Sequence, residues 1–195
     1  MKKFLLVILI TLLINACGEK LPIEDDYSKI ETELLNQDSS KVNFNEILLG
    51  KNTVIGYIFT NCPDICPLTT NNMRLIQEQA NEEGIENLQF VSVSFDPEVD
   101  KPSVLKKYSE IRNLDTSNWT FLTGDKETVD GLMKRLGIIA VVGDSSVTSD
   151  GNTVYFYVHT DRIALIDSKG QLRKNYKGSE LDKNLVVNDI KLLEE

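Results

Sequence analysis

Two cysteines four positions apart and a single histidine far along the sequence are the residues of this chain best suited to chemistry. Cys62 and Cys66 lie in the segment TNCPDICP, residues 60–67, and His159 is the only histidine among 195 residues. Two thiolates and one imidazole form a soft set of three ligands, which suits Cu(I) in trigonal geometry and can hold Cu(II) with an added ligand. Together they predict a site for one copper ion per chain.

The spacing of the two cysteines by itself leaves three roles open. On one helical face their Cβ atoms would lie about 5–6 Å apart, which is wider than the 3.5–4.5 Å typical of a disulfide. A stabilising disulfide, a thiol–disulfide redox centre and a metal site all remain compatible with this pattern. Because the pair stands where a helix begins, the helix dipole is expected to favour thiolates there.

Other potential ligands are better explained as core. Structural zinc takes four protein ligands. Apart from the N-terminal Cys17, the only cysteines and histidine in the chain are Cys62, Cys66 and His159. Met73 and Met133 occupy apolar positions of helical segments, so we interpret them as core residues.

The net charge of −9 argues against a nucleic-acid partner, which needs clustered Lys and Arg. We expect a monomer.

The N-terminus has the pattern of an export signal. Lys2 and Lys3 precede an apolar stretch over residues 4–14 that is too short to cross a bilayer as a helix. The stretch ends in LINAC, residues 13–17, which resembles the lipobox of bacterial lipoproteins. That resemblance implies a signal peptide over 1–16, a lipid on Cys17 and a location on a membrane, facing the periplasm or cell exterior. We interpret residues 17–40 as a tether and 41–195 as the folded domain.

Strands and helices alternate through the domain, which predicts an α/β fold. The apolar run over 53–59 has the composition of a buried central strand, and the cysteine motif follows it directly at the start of a helix that stops at Gly84. Asp100 and Ser179 are placed to cap two later helices. The remaining predicted elements are strands over 88–95, 119–122, 154–158 and 162–167, helices over 102–111 and 125–137, a loop or hairpin tip over 143–153, a turn at Lys169-Gly170 before a last short strand, and a C-terminal helix.

The chain resembles the Sco/SenC family of copper-binding, thioredoxin-like proteins. The similarity runs from about Val42 to the C-terminus and rests on the order and spacing of several motifs: LLGK at 48–51, CPDICP at 62–67, SFDPEVD at 94–100, WTFLTG at 119–124 and HT at 159–160. The resemblance implies a thioredoxin-like sandwich whose central mixed sheet is flanked by helices. It also implies that Cys62, Cys66 and His159 bind copper.

The resemblance further implies a role in maturing the dinuclear copper centre of cytochrome c oxidase, by delivering copper or by reducing target cysteines. The expected partner is the copper-bearing oxidase subunit or another copper or thiol protein. The family usually has Asp immediately before the histidine, where this chain has Val158. Metal-bound histidines normally hydrogen-bond a group that fixes the ring, and Asp161 is a candidate for that contact.

Three functional hypotheses follow. A copper chaperone needs Cys62, Cys66 and His159, and it is a carrier rather than an enzyme. A thiol–disulfide oxidoreductase would use Cys62 and Cys66 as its catalytic pair and would tolerate loss of His159. A peroxidase would need an arginine beside its nucleophile, and Arg74 lies too far along the helix to fill that role. We favour the chaperone.

Overall fold

The computed structural model describes residues 20–63, 65–147 and 153–194, and of residues 144–147 and 153–155 it describes the backbone alone. The predicted signal peptide and Cys17 lie outside the described residues. The strands are β1 Asp25–Asp26, β2 Glu33–Asn36, β3 Lys41–Asn43, β4 Asn52–Ile58, β5 Leu88–Ser94, β6 Trp119–Thr123, β7 Ala140–Val147, β8 Thr153–His159, β9 Ile163–Ile166 and β10 Gln171–Tyr176. The helices are α1 Phe44–Ile47, α2 Ile65–Glu82, α3 Pro102–Ile111, α4 Lys126–Arg135 and α5 Lys183–Lys191.

Eight strands form one mixed sheet in the order β1-β10-β9-β4-β5-β6-β2-β3. β4, β5 and β6 are parallel neighbours, while β9 and β10 join antiparallel on the other side of β4. Helix α2 packs on β4 and α5, and α3 packs on β6. This is the predicted central mixed sheet flanked by helices. No helix within the described ranges combines the length and apolar character needed to span a bilayer.

The middle of the sheet holds the core. All seven residues of β4 are buried, because the strand has β5 on one side, β9 on the other and α2 across its face. One flank of the core is aromatic: Trp119 stacks on Phe121 with 5.6 Å between ring centroids and lies 5.4 Å from Phe90. The Trp119 Nε1–H donates to Ser92 Oγ at 3.0 Å. This core fixes the end of β4, from which the cysteine motif leaves the sheet.

Strands β7 and β8 form a separate antiparallel hairpin. Within the described residues they pair with each other and not with the eight-stranded sheet. Ala140 lies opposite His159 and Val141 opposite Val158, and the register shifts between Val142 and Ser145. The predicted loop over 143–153 is therefore too long, because β7 continues past this irregularity to Val147. Residues 148–152, the rest of that prediction, lie outside the described residues.

The predicted boundary of the tether at residue 40 is wrong. Residues 25–26 and 33–36 are strands β1 and β2 of the main sheet, and Tyr27, Ile30 and Leu34 are buried in the core. Strands of two and four residues are too short to show the alternation that reveals a strand in a sequence. Leu21 also packs against the core, and the Glu24 N–H donates to the Leu172 carbonyl, so the folded domain includes residues from about 21 onward.

Both predicted caps at Asp100 and Ser179 are also wrong. Helix α3 begins after Lys101 without a side-chain cap, and Asp100 is instead buried below the cysteine loop. Helix α5 is capped by Asp182, which accepts from the Asn184 N–H at 2.9 Å. Both misplaced residues have tertiary partners that outcompete a local cap. Helix α4 is capped by Asp125, which accepts from the Thr128 N–H at 2.9 Å.

Candidate metal centre

Hydrogen bonds hold the cysteine loop at the end of β4. Where it leaves β4, the buried Asp100 carboxylate accepts from the Thr60 N–H at 3.0 Å and from the Thr60 hydroxyl at 2.5 Å. The Ser94 hydroxyl, at the end of β5, donates to the same carboxylate. A turn then brings the Cys62 N–H to the Phe59 carbonyl at 3.2 Å, and α2 begins three residues later. Cys66 therefore lies in the first turn of the helix and Cys62 just before it.

The two cysteines occupy unlike environments. The Cys66 N–H, at the start of α2, donates to Cys62 Sγ at 3.3 Å, a contact that favours negative charge on that sulfur. Cys62 is half-buried, whereas Cys66 is fully buried, and both are in the reduced form. The hydrogen bond to Cys62, together with burial, raises the pKa of the Cys66 thiol far above its usual range. The stabilisation of a thiolate that is expected at the helix start therefore applies to Cys62 and not to Cys66.

This asymmetry predicts which thiol reacts first. With iodoacetamide at neutral pH, we expect Cys62 to be alkylated at least about tenfold faster than Cys66, because the thiolate is the nucleophile and Cys62 is the more accessible of the two sulfurs. Peptide mass spectrometry of the reduced full chain at successive times resolves the two sites. Equal labelling rates measured without denaturant, with complete labelling of both sites in denaturant, would contradict the assigned asymmetry.

His159 ends β8 and reaches the cysteines from the hairpin side. Its Nε2 lies 3.7 Å from Cys66 Sγ. The ring lies 4.9 Å from the Phe95 ring and 6.3 Å from Phe59. The three ligand atoms of Cys62, Cys66 and His159 all lie within 4.8 Å of one another. The fold thus brings together Cys66 and His159, which are 93 positions apart in sequence, as their residue types predict.

The imidazole is oriented by a backbone carbonyl. His159 Nδ1 lies 3.1 Å from the Thr160 oxygen, and since a carbonyl can only accept, Nδ1 carries a proton. In the neutral imidazole Nε2 then carries no proton and faces the thiols, as a metal ligand requires. Burial lowers the pKa of His159, but the hydrogen bonds to Cys62 and to Thr160 outweigh it and the pKa is raised.

Neither Val158 nor Asp161 forms a hydrogen bond with the ring. Val158 is 65% exposed, because alternation along β8 turns it to the face opposite His159. The expectation that Asp161 contacts the histidine is wrong: its carboxylate accepts from the Ser179 N–H and hydroxyl and from the Thr69 hydroxyl. The Thr160 carbonyl therefore fixes the imidazole, which is the role expected of a carboxylate. Because this carbonyl belongs to the backbone, the types of side chain in the sequence do not indicate the contact.

The other residues considered in the sequence have structural roles. Met73 and Met133 are buried in the core, as predicted. Arg74 forms an ion pair with Glu78 on α2, which fits its exclusion from a peroxidase site. The acidic run from Asp96 to Asp100 forms a turn.

Two sulfurs and one nitrogen at these separations fit a single metal ion. Metal–sulfur and metal–nitrogen bonds of about 2.3 and 2.0 Å keep atoms bound to one ion within about 4.6 Å of each other. The three ligand atoms lie within 4.8 Å of one another, so they need to approach each other only slightly to bind one ion. The set is soft and has three members, so it matches the preference of Cu(I) better than that of zinc, calcium or magnesium.

The chain is similar in sequence and in fold to known proteins. A family model described as SCO1/SenC matches residues 23–194. A putative copper-binding protein of Stutzerimonas stutzeri is 33% identical over 143 residues, covering 73% of this chain and 66% of the relative. The crystal structure of a SCO1/SenC family lipoprotein from Bacillus anthracis is 32% identical with a TM-score of 0.69, covering 92% of this chain and 99% of that one.

A third similar protein is BsSco, a member of the Sco family of cytochrome c oxidase assembly proteins in which a disulfide switch was identified. It is 29% identical with a TM-score of 0.70, and the match covers 90% of this chain and 98% of that one. These likenesses confirm the predicted α/β, thioredoxin-like fold.

Proposed function

Since this chain belongs to the SCO1/SenC family, we propose that it is a membrane-tethered copper-binding protein that assists assembly of the dinuclear copper centre of cytochrome c oxidase. The observation that carries the proposal is the convergence of Cys62, Cys66 and His159 within 4.8 Å. Two related proteins support it, one described as copper-binding and one belonging to a family of oxidase assembly proteins.

Copper is the cargo of this site, and the two sides of the site have different tasks. Cys66 is fully buried, whereas Cys62 and His159 are half-buried, so Cys62 is the sulfur ligand that an incoming group can reach, while the Thr160 carbonyl holds the imidazole of His159. An acceptor thiolate that approaches from solvent would exchange with Cys62 first. Soft ligands on both proteins keep copper bound throughout such a transfer.

The membrane tether remains a proposal drawn from the N-terminal sequence. A lipid on Cys17 after removal of residues 1–16 would leave four residue steps before Leu21, which packs against the core and accepts a hydrogen bond from Arg173. A fully extended chain of this length spans at most about 14 Å, so the tether would keep the domain close to the membrane. The similar Bacillus anthracis protein is a lipoprotein, which supports this proposal.

A second candidate function is reduction of a partner's disulfide. The dithiol of Cys62 and Cys66 would become a disulfide while the target disulfide becomes a dithiol, with two electrons and two protons transferred to the target. The half-buried Cys62, which accepts the Cys66 N–H, is placed to attack first. The similarity to BsSco, in which a disulfide switch was identified, also favours it. This reaction needs no imidazole.

Copper titration of the reduced full-length chain tests the proposal. A Cys17→Ser background in detergent restricts the thiols to the pair in the site. We expect one Cu(I) per chain in competition with a chelator, because the three ligands converge on one point. Copper at a free concentration about 1,000 times Kd should raise the free energy of unfolding by about 4 kcal/mol, measured by denaturant titration.

Two further measurements separate the candidate functions. Mixing the copper-loaded chain with the metal-free copper-bearing domain of an oxidase subunit should transfer the metal, and the metal-free chain is the control. Reduction of a disulfide-bonded form of the same domain by the metal-free chain is measured in parallel. No copper binding by the reduced protein, together with rapid reduction of the target, would favour the oxidoreductase.

A further inference from the structure

The position of His159 relative to Cys66 is not set by the pairing of the main sheet. Cys66 begins α2, which packs on β4, whereas His159 belongs to the β7–β8 hairpin. Within the described residues that hairpin has no hydrogen-bonded partner strand in the eight-stranded sheet. Contacts outside the strand ladders must therefore hold the two ligands at their separation of 3.7 Å.

Asp161 makes the polar contacts that can do this. It stands two residues after His159, and its carboxylate accepts from the Ser179 N–H at 3.0 Å and from the Ser179 hydroxyl at 2.5 Å. The same carboxylate lies 3.4 Å from Thr69 Oγ1, whose hydroxyl is shared with the Ile65 carbonyl at 3.2 Å. One side chain thus joins residues 159–161, called here the histidine segment, to α2 and to the loop before α5.

The partner on α2 is close to the other ligand. Thr69 is buried and lies three residues after Cys66, on the same face of the helix. The loop closes over this contact at Gly178, where a Cβ atom would lie 2.7 Å from Asp161 Oδ1 and 2.9 Å from Thr69 Oγ1. The Asn72 side chain, one turn further along α2, donates to the Gly178 carbonyl at 2.7 Å. The connection is therefore short and tightly packed.

We propose that Asp161 is a positioning residue that holds His159 against the cysteine-bearing helix by joining the histidine segment to Thr69 and Ser179. This inference rests on the proposed copper-binding function and adds a residue to it. Asp161 donates no ligand to the metal and acts through the placement of Nε2. The Thr160 N–H and hydroxyl pair with the Ile139 carbonyl and N–H, both at 2.9 Å, and so extend the pairing of β7 with β8 by one residue beyond His159.

The test compares Asp161→Ala with Asp182→Ala in the full-length chain carrying Cys17→Ser. Both substitutions remove a carboxylate that accepts a backbone N–H, but Asp182 caps α5 and has no bond to the histidine segment. We expect Asp161→Ala to weaken copper binding about 10- to 100-fold, the range found for residues that orient metal ligands. The Cu(II) electron paramagnetic resonance and absorption spectra should change as well. Asp182→Ala should match the parent chain in both.

Conservative substitutions separate positioning from general stability. Asp161→Asn keeps one carbonyl oxygen for Ser179 and should recover part of the affinity and the parental spectrum, and Ser179→Ala should cause a smaller loss in the same direction. If Asp161→Ala does not fold, these two variants decide the matter. Wild-type affinity and spectra in a folded Asp161→Ala chain, or in both conservative variants, would overturn the proposal.

Amide hydrogen exchange in the metal-free protein tests the same contact without copper. Loss of Asp161 should speed exchange at Ser179, whose N–H it accepts, and at Thr160 nearby, while amides of the central strands β4 and β5 stay protected. If the parent chain binds no copper, the proposed function fails, and these exchange rates alone decide whether Asp161 holds the segment. Unchanged exchange at both positions would overturn the inference.

Discussion

Replacing His159 with alanine is expected to abolish stoichiometric copper binding and to leave the dithiol chemistry intact. The substitution removes the only nitrogen ligand of the set and leaves two sulfurs, one of which has a raised pKa. The loss should exceed the roughly 10- to 100-fold effect of residues that only orient a ligand. The measurement is competition for Cu(I) against a chelator of known affinity, beside the rate of disulfide formation between Cys62 and Cys66.

Val158→Ala is the matched control for this prediction. It alters the neighbouring residue of β8, whose side chain points away from the site and is exposed, so copper affinity should stay at the parental value. His159→Ala that still holds one copper per chain would exclude the three-ligand site. If His159→Ala instead loses copper and the dithiol still reduces its target, the two candidate functions are separable in one protein.

Replacing Trp119 with alanine is expected to lower the free energy of unfolding by about 3–5 kcal/mol. The side chain is 1% exposed, stacks on Phe121 and contacts Phe90. Its removal leaves a cavity in the aromatic flank of the core and deprives the Ser92 hydroxyl of the indole N–H donor. Urea denaturation followed by circular dichroism measures the loss.

The control for this effect is Trp119→Phe, which keeps most of the aromatic packing and should cost clearly less than the alanine variant. Copper affinity of the folded fraction should be unchanged in both variants, because Trp119 lies on β6 and the ligands lie on α2, β8 and the loop after β4. A loss of less than 1 kcal/mol in Trp119→Ala would show that the site collapses around the cavity or that the packing contributes little.

The sequence alone was sufficient for the centre of the fold and for the residues of the candidate site. The buried strand before Cys62, the helix that follows and the parallel neighbour at Leu88 have strong local patterns, and the structure has all three. The convergence of Cys62, Cys66 and His159 was predictable because the domain contains no other thiol or imidazole. Scarcity of candidate ligands, more than spacing, made that inference possible.

What the sequence did not reveal depends on contacts between distant segments. Asp100 and Ser179 fit helix caps locally, but each has a tertiary partner, Thr60 for the first and Asp161 for the second. Strand β1 has only two residues and is defined by its pairing with β10. Periodicity and composition do not indicate whether such a residue forms the local or the tertiary hydrogen bond, since the two bonds are chemically alike.

The 93-residue separation of Cys66 and His159 has a consequence for folding. A copper ion that remained bound to both residues while the chain unfolded would close a loop of nearly half the protein. In the chain-entropy treatment of cross-links, closing a loop of about 100 residues costs the unfolded ensemble roughly 4.7 kcal/mol of conformational freedom. A metal shared between the start of α2 and the end of β8 would therefore act as a reversible cross-link, present when the carrier is loaded and absent once the cargo has left.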